Sequence, residues 1–178
     1  MTFSLYDATI PSFLQILGAM RGLTEKAEAF CAEKGIAERQ LLDAHLGEDM
    51  LSLTWQIKWV STHSIGAIEG VRGGSFSPDR EPPAESFAAL RAQVDETVAA
   101  LQQVTREEME SFVGGDMQFS LAGRILMEFT AENFLLSFSL PNFYFHASTA
   151  YDILRDEGLD IGKRDFLGVP RMKAPAAA

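Results

Sequence analysis

The sequence predicts an all-α protein: a bundle of four long helices with a small β-hairpin before the last one. Three observations carry this. Apolar residues recur at spacings of three and four over most of the chain. The period drops to two only between Met117 and Thr130. With 47% apolar residues in 178, one domain can bury a sizeable core. The bundle is expected over residues 1–168, with a disordered small-residue tail at 169–178.

The first helix runs from about Leu5 or Ile10 to Lys34, with Ile10, Phe13, Leu14, Leu17, Met20, Ala27 and Cys31 inward. Pro11 fits a first turn; in a helix that starts earlier it forces a kink. Gly35 stops the helix. Ala37 to Ala44 forms a short helix, and His45 lies in a solvated loop. The second helix spans about Asp49 to Gly70, with Leu53, Ile57, Val60, Ala67 and Ile68 on its apolar face. Gln56 and His63 sit together at the edge of that face, beside Trp59. VRGGSFSPDREPPAE then reads as a long loop.

The third helix covers about Ser86 to Gln103, with Phe87, Leu90, Val94, Val98 and Leu101 inward. Thr105 to Ser111 is an acidic connection that adds a turn. Met117, Phe119 and Leu121 alternate, as do Ile125, Met127 and Phe129, across Ala122-Gly123. That is a hairpin signal.

The last helix, Ala131 to Glu157, is apolar on two faces. One stripe carries Leu135, Phe138, Asn142, His146, Thr149 and Ile153. A second, about 100° round, carries Leu136, Leu140, Phe143, Ala147, Ala150 and Leu154. Such a helix sits between neighbours. Pro141 removes one amide and predicts a bend. Gly158 ends the helix, and Ile161, Phe166 and Leu167 dock back on the bundle.

The net charge of −10, with no Lys/Arg cluster, argues against nucleic acid and anionic membranes as partners. No stretch is apolar for about 18 residues, so no membrane span is expected. MTFSLYDATIPSF lacks the basic start and apolar run of a signal peptide, so a cytoplasmic location is expected. A single cysteine, Cys31, excludes an intrachain disulfide and a Cys-rich zinc site. No P-loop, GxGxxG, GxSxG or HExxH motif is present.

SLYDATIPSFLQILGAM at the start, and LPNFYFHASTAYDIL with GKRDFLG at the end, resemble an uncharacterised bacterial domain-of-unknown-function family. That family lies within the DinB-like superfamily of damage-inducible-type four-helix bundles. The resemblance covers residues 3–168. It implies an up-down-down-up bundle, often a homodimer. Many members of the superfamily hold a divalent metal with three histidines. One comes from the second helix and two, spaced i, i+4, from the last. Some members use the metal in thiol-dependent transferase or hydrolase chemistry. Here His63 matches the second-helix histidine and His146 the later one of the last helix. Asn142 stands where the earlier one would be. An amide oxygen is a poor partner for Zn²⁺ or Ni²⁺, which prefer imidazole nitrogen. The resemblance therefore implies a degenerate site of His63, His146 and Asn142, open to Zn, Ni or Mn.

The residues alone also admit a plain structural network. In it His146 bonds Asn142, Gln56 or Tyr144, and His63 does likewise. Two function classes follow: a protein with a degenerate metal site, enzymatic or not, and a non-catalytic structural or small-molecule-binding homodimeric bundle. No catalytic residue is assigned by either.

Overall fold

The computed structural model describes residues 4–173. The chain is mostly helical, with a small three-stranded sheet. Helix α1 (Leu5–Lys34) starts at the earlier of its two expected positions. Ser4 caps it: its hydroxyl accepts from the Asp7 amide, and the Asp7 carboxylate accepts from the Ser4 amide, both at 3.2 Å. Pro11 therefore lies inside the helix, where the Asp7 carbonyl loses its usual i+4 donor. Gly35, at φ 67°, adopts the left-handed cap that stops the helix. The short helix α2 (Glu38–Leu42) follows, and His45 is exposed in the next loop.

The second rod differs from the unbroken helix expected over 49–70. It begins at Leu53 and consists of α3 (Leu53–Ser61), a π-helical turn (Thr62–Gly66) and α4 (Ala67–Gly73). The loop expected from Val71 onward holds a two-residue strand, β1 (Ser75–Phe76). Gly70 permits the close approach of that strand, since a Cβ there would meet the Phe76 Cβ at 2.9 Å. Helix α5 (Phe87–Gln103) is capped by Ser86, and the acidic connection is a real helix, α6 (Arg106–Ser111), capped by Thr105.

The alternating runs are β2 (Asp116–Leu121) and β3 (Arg124–Thr130), paired antiparallel around Ala122-Gly123. Both turn residues have positive φ, 50° and 76°, the backbone of a type I′ turn. The parallel pairing of β1 with β2 had no signal in the sequence. It makes the sheet order β1-β2-β3.

The last rod is α7 (Ala131–Asn133), a π-helical segment (Phe134–Ser139) and α8 (Leu140–Asp156). The expected disturbance at Pro141 is thus a widened helix just before it. The amide of Leu140 bonds the Leu135 carbonyl, five residues back. The wider turn shifts the helical phase, and Leu136, expected inward, is 40% exposed.

Helix α1 packs along α5, and α3 along α8. Phe13, Phe87, Phe134 and Phe143 fill the core, with Phe13 edge-on to Phe143 at 4.8 Å. Helix α9 (Lys163–Leu167) docks on α1, where Lys26 pairs with Asp165 at 2.5 Å. Residues 169–173 are irregular, and the Arg171 guanidinium reaches Gln15 at 3.3 Å. The rest of the expected tail, 174–178, lies outside the described residues. Among the described residues no helix is long and apolar enough to cross a membrane.

Candidate functional site

The two π-helical turns face each other where the second and last rods meet, and His63 lies in one of them. The Ser139 hydroxyl, at the end of the other, donates to the His63 carbonyl at 2.9 Å. This bond spans the rods and satisfies a buried carbonyl in a turn whose backbone pairing is irregular. With its proton spent, the Ser139 oxygen can only accept from His63 Nδ1–H, at 3.4 Å.

His146 is one ring away. Its Nδ1 and the Gln56 side-chain oxygen are 2.7 Å apart, and Gln56 Nε2 donates to the Leu51 carbonyl at 3.0 Å. The Gln56 oxygen must then accept, so His146 also carries its proton on Nδ1. Of the three partners open to His146 in the sequence, the structure selects Gln56. Both imidazoles thus spend their N–H on a fixed oxygen. Neither Nε2 lone pair has a protein donor among the described residues.

The ring centres of His63 and His146 are 5.7 Å apart, with planes 16° from parallel. Trp59 lies against both, at 5.7 Å from His63 and 5.8 Å from His146. Phe76 and Phe138 complete the surround of His63, at 5.6 and 6.0 Å. The hairpin is seated on the same spot, through Phe119 on Phe138 and Phe129 on Phe134.

Burial pushes the His63 pKa down to about 3, with help from the charge that His146 would carry. Burial also lowers His146, to about 4. Both are neutral near neutral pH, the form that ligates metals or accepts a hydrogen bond.

Asn142 is half-buried, and its amide donates to the Phe138 carbonyl at 2.7 Å. It makes no hydrogen bond to either histidine. The structure therefore brings His63 and His146 together and turns Asn142 onto its own helix. Among the described residues, no group of three or more His, Cys, Asp and Glu side chains is placed to hold an ion. Sequence reasoning passed over Ser139, although it lies seven residues before His146 and so near the same helical face.

A cavity of about 340 Å³ adjoins the site on the far side of Trp59, lined by Leu51, Trp55, Trp59, Pro78, Asp79, Arg80 and Leu121. Its wall is anchored by Lys58, which is buried and pairs with Asp79 and with the Glu81 carbonyl.

The fold has counterparts. A DinB family member from Shewanella denitrificans is 28% identical with a TM-score of 0.79, covering 96% of each chain. A DinB-like protein from Bacillus subtilis shares the fold at 18% identity and a TM-score of 0.55, over 84% of this chain and 91% of that one. Among curated proteins nothing matches. The model of the domain of unknown function DUF1993 matches residues 5–167, nearly the whole helical body and both histidines. The chain therefore belongs to the DUF1993 family.

Proposed function

We propose that this chain is an up-down-down-up DinB-like bundle that keeps the two-histidine remnant of a divalent-metal site. His63 Nε2 and His146 Nε2 would hold the ion. The observation that carries the reading is the matched pair of tautomers. Each Nδ1–H is tied to an oxygen, Ser139 for one and Gln56 for the other, as the outer partners of metal-binding histidines are. An ion ~2.0–2.1 Å from two imidazole nitrogens at a tetrahedral angle sets the ring centres about 5 Å apart. The observed 5.7 Å is close to that. Near-parallel rings share one ion only edge to edge, or after one turns about its Cβ–Cγ bond.

The donor set fits a loosely held ion, not a resident three-histidine one. Two neutral nitrogens leave the remaining coordination positions to exogenous ligands. When bound, the ion would supply Lewis acidity to whatever completes its coordination. Gln56 and Ser139 would hold the imidazoles in the required tautomer, and Trp59, Phe76 and Phe138 would limit water.

Protein purified without a nickel column tests this by melting in the presence of Zn²⁺, Ni²⁺ or Mn²⁺. Saturation at 100 times Kd stabilises the native state by ~2.7 kcal/mol. A rise in Tm with Zn²⁺ or Ni²⁺, lost in both His63→Ala and His146→Ala, is the expected result. No shift with any of the three ions sinks the reading.

A second reading, small-molecule binding without metal, draws on the cavity beside Trp59. Its wall is apolar and aromatic, and Trp59 Nε1 is buried with no acceptor among the described residues. Tryptophan fluorescence of the metal-free protein, with Trp55→Phe to isolate Trp59, would follow ligands in that cavity. Flat apolar probes that leave the emission unchanged would remove this reading.

A further inference from the structure

We infer that the cavity beside Trp59 binds a small aromatic carboxylate, with Arg80 pairing the carboxylate and Trp55, Trp59 and Leu121 covering the rings. The inference rests on the small-molecule reading of this cavity, to which it adds the chemical class of the occupant. It needs no metal at the histidines.

Charge decides the class. The lining is mostly apolar and aromatic, with two charged residues in it, Asp79 and Arg80. Asp79 is already neutralised, because the buried Lys58 ammonium donates to its carboxylate. Arg80 is exposed and makes no ion pair or hydrogen bond among the described residues. The charge left on the cavity wall is therefore positive, although the chain as a whole carries −10.

The same lysine fixes that wall. Its ammonium also donates to the Glu81 carbonyl, and it lies 5.2 Å from the centre of the Trp55 ring. The Asp79 carboxylate accepts from the Glu81 amide at 3.0 Å, which closes a turn with Arg80 at its middle. Pro78, Pro82 and Pro83 restrict φ on either side. A buried ammonium is costly unless its bonds are made. Here they go to the two chain neighbours of Arg80 and to one aromatic wall of the cavity. Arg80 thus stands on backbone that is already ordered, and a ligand need not supply that ordering.

A guanidinium presents a planar fork of donors that matches the two oxygens of a carboxylate. The two indoles and Leu121 offer flat apolar surface to rings. The volume of about 340 Å³ is at the small end of ligand pockets, about 300–1,000 Å³. That suits a compact ring system better than a lipid chain or a peptide.

Proton–nitrogen NMR of the metal-free protein tests this, with 2-naphthoate and its neutral analogue 2-naphthamide as probes. The chain has two tryptophans, Trp55 and Trp59, so both indole N–H signals report on the cavity. Naphthoate is expected to move both signals. Naphthamide is expected to bind about ten-fold more weakly, through loss of one charge-assisted contact. Arg80→Glu is expected to abolish naphthoate binding and to leave naphthamide binding as it was, which shows the variant folded with its cavity intact. Equal affinity for the two probes overturns the inference and leaves the small-molecule reading standing. Naphthoate binding that survives Arg80→Glu unchanged does the same. No binding of either probe overturns both, as does binding that moves neither indole signal.

Discussion

Along α1 and α5 neither helix widens into a π-turn, and the buried hydroxyls of Thr9, Thr24 and Thr97 each bond a carbonyl of their own helix. Phe87, Leu90, Val94 and Leu101 of α5 are buried against Ile10, Leu17 and Met20 of α1, and charge is kept to the surface pairs Arg21–Asp95 and Arg91–Glu28. Along the second and last rods the pair is polar inside and irregular in backbone. Gln56, His63, Ser64, Ser139, His146 and Thr149 are all buried there, and each rod widens into a π-helical turn at the junction. The first pair has the pattern that packing alone selects. The second gives up both regular hydrogen bonding and apolar content at one place, and there the two imidazoles meet. A departure that costs stability on both counts is a stronger pointer to function than either histidine alone.

The contrast is broken or sharpened most by acid. The folded chain keeps His63 and His146 neutral down to about 3 and about 4. The unfolded chain protonates both from about 6.5 downward. Below that pH the unfolded state binds protons that the folded state refuses, so stability falls as pH falls. Each imidazole costs ~1.4 kcal/mol per pH unit in that window, or ~5 kcal/mol for the pair by two units below it. Denaturant melts across this range should show the loss, and His63→Phe should roughly halve its slope. A slope unchanged by the substitution would remove the buried pair as its cause.

Next in size, Leu90→Ala in the regular pair should cost ~2–5 kcal/mol, read as a lower urea midpoint at constant m-value. Its acid slope should match the native one, which separates packing from titration.

Gln56→Leu should cost less, ~1–3 kcal/mol, because it leaves the His146 Nδ1–H buried without an acceptor. If ring-proton NMR finds the His146 tautomer unchanged in this variant, Gln56 does not set it.

Smallest of all, Arg21→Ala removes two exposed partners, Glu25 and Asp95, and should shift stability by at most ~1 kcal/mol. A larger loss would show that the regular pair also depends on its charges.

Much of the fold was legible because its signals are local. The cap at Gly35, the turn at Ala122-Gly123 and the amphipathic run of α5 each depend on residues a few positions apart. The inward aim of His146 followed from apolar neighbours at helical spacing; spacing put His63 only at the edge of its face, and its place beside His146 came from the resemblance. Ser139 carried no such mark, and Leu136 was placed on the wrong face because the extra residue per π-turn shifts the helical phase. β1 was missed because two residues show no period, and their pairing depends on β2, some forty residues on.

The amino-acid order by itself determined where the helices and the hairpin form, and that His146 points into the bundle with His63 at the edge of its own helix's apolar face, because backbone propensity and 3.6-residue periodicity act within a turn or two. Only the tertiary structure decided which oxygen each imidazole holds, and therefore which nitrogen keeps its lone pair. That choice passes through Ser139 and Gln56, each on the opposite rod from the histidine it holds. A hydrogen bond between rods exists only once both are packed, and no spacing along one chain can encode its geometry.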